Sequence, residues 1–166
     1  MKDPLHYRPD LLATKGQRFA NLVIDFIFRF VLVFVFGLLA ALFTHVGFDG
    51  PYMWIQGLSD WEGTLFEWGL LLFYYMFTEM ISQRTIGKLI TGTKVVMEDG
   101  SRPPAGVIAL RTLCRLIPFE VFSFFGDPSR GWHDSLSQTY VIDVKKYNHA
   151  ENLENSFSEI GSDLKY

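Results

Sequence analysis

Apolar positions along this chain gather into two long runs. From Phe19 to Thr44 it reads FANLVIDFIFRFVLVFVFGLLAALFT, and from Thr64 to Ser82 TLFEWGLLLFYYMFTEMIS, neither broken by Pro. At ~1.5 Å of rise per helical residue the first run exceeds the ~30 Å hydrocarbon core of a bilayer and the second approaches it. Both predict spanning helices, about 19–44 and 64–82, running antiparallel. A third apolar stretch, from Ala105 to Gly126, carries Arg111, Arg115, Pro118 and Glu120. An Arg at bilayer depth costs ~2.5 to 3.5 kcal/mol. This stretch therefore predicts an amphipathic interfacial helix over about 105–125, its two Arg residues one turn apart at headgroup level and its Phe residues dipping inward. GTKVVMEDGSRP from Gly92 alternates and ends in an Asp-Gly turn signal, and SQTYVIDVKK from Ser137 reads as a short strand. The two are expected to pair as a small ribbon that brings Asp134 towards the membrane face.

The predicted fold class is an all-α membrane protein: two antiparallel transmembrane helices, an interfacial third helix and a short cytoplasmic β-ribbon. Residues 1–17 are read as a cytoplasmic N-terminal segment, 18–146 as the membrane domain, and 147–166 as a disordered acidic tail. Orientation follows from the basic residues. Lys2, Arg8, Lys15 and Arg18 precede the first run, and Arg84, Lys88, Lys94 and Arg102 follow the second. His45 to Gly63, between them, contains no Lys or Arg. Positive charge is retained inside, so both termini are placed in the cytoplasm and the protein in the inner, cytoplasmic cell membrane as a multi-pass chain. Trp54, Trp61 and Trp68 suit an aromatic belt at the outer boundary. The mixed, Pro-containing residues before Phe19 do not suit a cleaved secretory signal, so the first helix is expected to be retained.

Composition adds little to this. The formal charge of −3 is too weak to suggest a partner, and the basic residues are interleaved with membrane segments, which argues against nucleic acid. Lys88, Arg111 and Arg115 are read as interfacial residues that suit anionic lipid headgroups. Cys114 is the single cysteine, and His6, His45, His133 and His149 lack metal-ligand spacing, so no metal and no organic cofactor are expected. Gly87-Lys88 lacks the rest of a phosphate loop, and His133, Asp134 and Ser135 are consecutive and cannot converge as a hydrolytic triad. No catalytic residue is assigned and an enzyme is not expected.

The chemistry that asks for explanation is a charged stripe in the first run. Arg18, Asn21, Asp25 and Arg29 lie close to one helical face, and Asp25 and Arg29 are spaced for an intrahelical ion pair. Glu79, near the cytoplasmic end of the second run, is the expected cross-helix partner of Arg18 or Asn21. Asp134 is expected to pair with Arg111, Arg115 or Arg18. Two readings of the stripe stay open: a path for a small cation or proton, with Asp25 titrating or coordinating, or mutually neutralised charges that only fix helix orientation. Two spans cannot enclose an aqueous path, so transport requires a homo-oligomer, for which Gly37 and Ala41 offer a small-residue contact.

Arg18, Asp25, TIGKLITGTKVV from Thr85 and WHDSLSQTYVI from Trp132, in that order, resemble the RDD family of membrane proteins, named for one Arg and two Asp. Arg18, Asp25 and Asp134 take those places, and the resemblance spans about Arg18 to Asp143. This chain has Ser135 where the family usually has a basic residue, and Gln138 where it usually has a small one. The resemblance implies a membrane protein and a transport activity, sodium/proton exchange being credited to some members. The reading taken is an integral membrane protein that transports a cation or a proton-coupled small solute as a homo-oligomer. A non-transporting membrane adaptor or assembly factor is the alternative.

Overall fold

The computed structural model describes Leu5, residues 8–120, Ser123 and residues 130–163, with side chains followed as far as 157. A 3-10 turn at Pro9–Leu11 precedes helix α1, Lys15–Thr44. Thr14 caps α1: its hydroxyl accepts from the Gln17 N–H, and the Gln17 side chain accepts from the Thr14 N–H. A short helix, α2 (Gly50–Gln56), turns the chain into α3, Asp60–Ser82, whose start is held by Ser59, with its N–H and hydroxyl donating to Glu62. The left-handed Gln83 ends α3, and after it come α4, Ile86–Thr91, and strand β1, Thr93–Met97. Helices α5, Ala105–Cys114, and α6, Trp132–Leu136, lead to β2, Thr139–Asp143, and the terminal helix α7, Val144–Asp163.

α1 is the one described helix long and apolar enough to cross a membrane. A core helix of a soluble protein would be mostly covered, yet only 6 % of its most apolar window is buried. Phe26, Phe30, Phe34 and Leu38 stand bare on α1, as do Leu65, Phe73, Phe77 and Ile81 on α3. Apolar area of this extent outside the fold needs an apolar solvent. Between the helices the contacts are aromatic, Phe28 against Tyr74 and Phe36 against Phe66, with ring centroids 5.2 and 4.9 Å apart.

β1 and β2 form the expected antiparallel ribbon, from Thr93 opposite Asp143 to Met97 opposite Thr139. Alternation sends Val96, Tyr140 and Ile142 to one face, where Leu5 and Leu11 close a core, and Val95 and Val141 to the other, with Ala13. Ala13 also donates to the Val141 carbonyl at 2.8 Å, tying the start of α1 to the ribbon.

Two expectations change. The segment read as a disordered tail is helical from Val144 to Asp163. Asp143 accepts from the N–H groups of Lys145 and Lys146 as an N-cap, and Tyr147 and Ala150 pack on the ribbon core, which stabilises a helix that its polar composition alone would not. The interfacial helix predicted over 105–125 ends at Cys114, its chain turning at Arg115–Glu120; residues 121, 122 and 124–126 of that stretch lie outside the described residues. Ten helical residues reach ~15 Å, half a hydrocarbon core, so α5 alone is too short to cross.

Candidate functional site

The ends of α1 and α3 nearest the ribbon, together with α4, α5 and α6, enclose charged side chains that are buried almost completely. Three carboxylates organise them. Asp25, 2 % exposed, accepts from the Tyr74 hydroxyl at 2.9 Å, the Thr85 hydroxyl at 2.7 Å and the Gly87 N–H at 2.9 Å. Tyr74 in turn accepts from the Ile86 N–H at 2.8 Å. α1 thus grips the first turn of α4, and Gly87 makes this grip possible: a Cβ there would stand 2.6 Å from the Asn21 carbonyl oxygen. Asn21 continues the same seam, its amide 2.5 Å from the Thr91 hydroxyl and 3.1 Å from that of Thr93.

Glu79, 1 % exposed, is met by three cations: Lys88 Nζ at 2.9 Å, Arg111 Nε at 3.1 Å and Arg115 Nη2 at 3.2 Å. Asp134, wholly buried, accepts from Arg18 Nη1 at 2.5 Å, from Arg111 Nη1 and from the Gly131 N–H at 3.2 Å. Arg111 therefore bridges the two carboxylates and also donates to Thr139 at the start of β2, at 2.7 Å. Arg115 stacks on Tyr75, 4.2 Å from the ring centroid. His133 sits beside Asp134 and bonds Glu120 through Nδ1.

Several sequence expectations are corrected here. Asp25 and Arg29 do not pair: Asp25 turns to α4, whose N–H and hydroxyl groups satisfy it inside the fold, and Arg29 reaches Glu67 on α3 at 3.2 Å. Glu79 does not pair with Arg18 or Asn21 but with Lys88, Arg111 and Arg115. Those three converge on Glu79 inside the fold. Lys88 and Arg111 are buried because an unpaired Glu79 inside the fold would cost more than bringing cations to it. Of the three Arg residues expected at Asp134, Arg18 and Arg111 bond it. Tyr74, Thr85 and Glu67 were not singled out, nor was the bond between Glu120 and His133. An i, i+4 Arg pair inside an apolar stretch does demand buried carboxylates, but tyrosine and threonine donors carry no signal of that kind.

The electrostatics follow from burial and pairing. Burial works to raise the carboxyl of Asp134, but Arg111 and Arg18 beside it hold it well below the usual carboxylate range. Burial depresses the ammonium of Lys88, against the pull of Glu79. Burial also pushes His133 down to about 4, with Asp134 opposing. In that state the imidazole is neutral at pH 7, and with its proton assigned to Nδ1 it donates to Glu120. A depressed imidazole binds fewer protons folded than unfolded between about 4 and 6.5, so stability falls as pH drops through that window. Thermal unfolding in detergent should show this loss between pH 6.5 and 4 and little change from pH 7 to 8. The His133→Gln variant should flatten the decline, and an unaltered one would show that other groups cause it.

Against the network lies a cavity of about 490 Å³, within the range of small-molecule sites. Its lining brings the cations Arg18, Arg29, Lys88, Arg111 and Arg115 together with the apolar Leu22, Phe26, Trp68 and Leu71 and the carboxylates Asp25 and Glu120. The carboxylates Glu79 and Asp134 that balance these cations are not among the lining residues. Among the described residues no cluster of three or more His, Cys, Asp or Glu is placed to hold a metal ion.

A family model described as RDD family matches residues 12–137, about three quarters of the chain and all of the network's charged residues. The chain belongs to the RDD family. Gln138, just beyond the matched residues, takes a left-handed φ of 52°. Comparison with curated proteins and with solved structures gave no match.

Proposed function

For this RDD family chain we propose a multi-pass protein of the cytoplasmic membrane, α1 and α3 both crossing and both termini inside, that carries a small solute through its basic cavity. The distribution of Lys and Arg around an outer connection that has neither supports the orientation. Single-cysteine accessibility at Thr44 and at Lys94 tests it, with labelling of the second from outside counting against it.

The observation that carries the reading is the placement of five cationic side chains and only two carboxylates, Asp25 and Glu120, in the cavity lining, Glu79 and Asp134 being outside it. This favours an anionic solute over the small cation expected from the sequence, because Asp25 already has both oxygens engaged by three donors. Asp25 is then a latch between α1 and α4, not a carrier of charge. Two spans do not enclose a path, so transport is assigned to a homo-oligomer. The open surface over Gly37, with no atom within 4 Å of a Cβ built there, suits such a contact.

Proteoliposomes loaded against gradients of sodium, potassium, protons and labelled phosphate decide between the ions. At matched folded content, Asp25→Asn should keep anion flux within about twofold while lowering the folded yield, since an amide presents N–H groups to donors that need an acceptor. Sodium or proton flux abolished by Asp25→Asn at equal folded content would restore the cation reading. A non-transporting adaptor is the second reading. It is favoured by α7, which leaves Leu153 and Phe157 bare on an acidic helix beside the ribbon. Absence of flux in any gradient, with function lost on removing residues 147–166, supports that alternative.

A further inference from the structure

The cavity offers more than positive charge. Counted with Asp25, Glu67, Glu79, Glu120 and Asp134, the five surrounding cations are balanced, so net charge alone calls for no ligand. Hydrogen-bond donors are a different matter. A guanidinium has five N–H groups in a fixed fork, and a carboxylate that neutralises it engages only some of them.

Four arginines line the cavity, and each keeps a buried nitrogen without a partner: Nε of Arg18, Arg29 and Arg115, and Nη2 of Arg111. Arg111 is wholly buried and Arg18 is 6 % exposed, so bulk water does not satisfy them. An orphaned donor in such a place costs ~1–3 kcal/mol, more when charged, and all four belong to side chains that line one cavity. A tetrahedral oxyanion, with several acceptor oxygens in a small volume, is the chemistry that satisfies them.

The lining also holds the apolar Leu22, Val23, Phe26, Trp68 and Leu71, and of these Phe26 and Trp68 are exposed on the outer faces of the spans. A free phosphate ion would leave these side chains without a partner. A phosphate carried by an alkyl chain fills both parts, headgroup to the arginines and chain along Leu22, Phe26 and Leu71.

We infer that the cavity is a binding site for a phosphate-bearing amphiphile, an anionic phospholipid of the surrounding leaflet, with its phosphate on Arg18, Arg29, Arg111 and Arg115. Basic pockets between membrane helices near the cytoplasmic side take lipid headgroups by the same physics. The assignment deepens the proposed function and shares its cavity, but it requires binding only, not movement.

The full chain, purified in a neutral detergent, is titrated with dodecyl phosphate, dodecyl maltoside and inorganic phosphate, and binding is read by Trp fluorescence and by thermal stability. Dodecyl phosphate is expected to bind saturably and to raise the melting temperature. Inorganic phosphate should bind at least about tenfold more weakly, and the maltoside should give no saturable signal. Arg29→Gln, which removes a partly exposed guanidinium and leaves both main carboxylates paired, should weaken dodecyl phosphate about tenfold. Leu22→Trp should abolish amphiphile binding and spare the weak phosphate signal, because it enlarges an apolar lining residue and leaves the arginines unchanged. Phosphatidylglycerol should then compete with dodecyl phosphate and phosphatidylcholine should not. Equal binding of the phosphate and the maltoside overturns the inference. So does undiminished binding by folded Arg29→Gln and Leu22→Trp proteins, and inorganic phosphate binding as tightly as the amphiphile reassigns the site to a free ion. Binding without flux in proteoliposomes overturns the transport reading alone, and flux without binding overturns this one.

Discussion

Arg111→Met is expected to remove the folded protein from the membrane almost completely. Arg111 has no exposed surface, and among the described residues its guanidinium alone bonds both Glu79 and Asp134. A methionine of similar length fills the space, so the loss is electrostatic and not a cavity. Asp134 keeps Arg18 and Glu79 keeps Lys88 and Arg115, but each carboxylate loses a partner where no water replaces it. Breaking one buried pair costs ~3–5 kcal/mol, and here two break together. Native stability is itself about 5–15 kcal/mol. Fluorescence-detected size exclusion of detergent extracts reads the result: a monodisperse peak in wild type, aggregate or none in the variant. Arg111→Lys should recover little, since one ammonium cannot span both acids and Thr139. A variant that ran as wild type would mean that Glu79 and Asp134 do not depend on their shared partner.

The second large effect is expected from a single methyl group. Gly87→Ala places a Cβ 2.6 Å from the carbonyl oxygen of Asn21 and 3.0 Å from its Cα and from Asp25 Oδ1. The first two atoms belong to the α1 backbone and cannot rotate aside. α4 must back away, and with it go the Gly87 N–H and Thr85 hydroxyl bonds to Asp25. Overpacking costs ~1–3 kcal/mol, and the stretched hydrogen bonds add about 1 kcal/mol each. The melting temperature should drop sharply in Gly87→Ala. Gly69→Ala, on α3 where nothing lies within 4 Å of the new atom, should be neutral or slightly stabilising. Similar behaviour of the two glycines would remove the close approach of α1 and α4 from the account.

Gly87 also marks where reading from the chain stops. Its sequence context, a Gly beside Lys88 after a long apolar run, suggests only a turn at the membrane surface. That the turn presses on α1 depends on Tyr74, Thr85 and Asn21 meeting from three elements. Lys88, Arg111 and Arg115 were legible as charges in costly places, and the cost itself is what drives them to Glu79. Which carboxylate would take them was not legible, because i, i+4 spacing is a local rule and all three partners of Glu79 lie on other segments. The pairing of Asp25 with Arg29 failed for the same reason: three donors from α3 and the α4 turn outcompete one guanidinium on the same helix.

The chain by itself pointed to a membrane protein, to the helices α1 and α3 and to the β1–β2 ribbon. Each of these rests on short-range period, run length or local order, which side-chain hydrophobicity and backbone geometry settle within one segment. Tertiary structure alone decided who neutralises whom, that α7 is a helix, and that four arginines lining one cavity keep a donor without a partner. Those outcomes depend on side chains from distant segments competing for the same few buried acceptors, and desolvation makes the winner a property of the assembled fold.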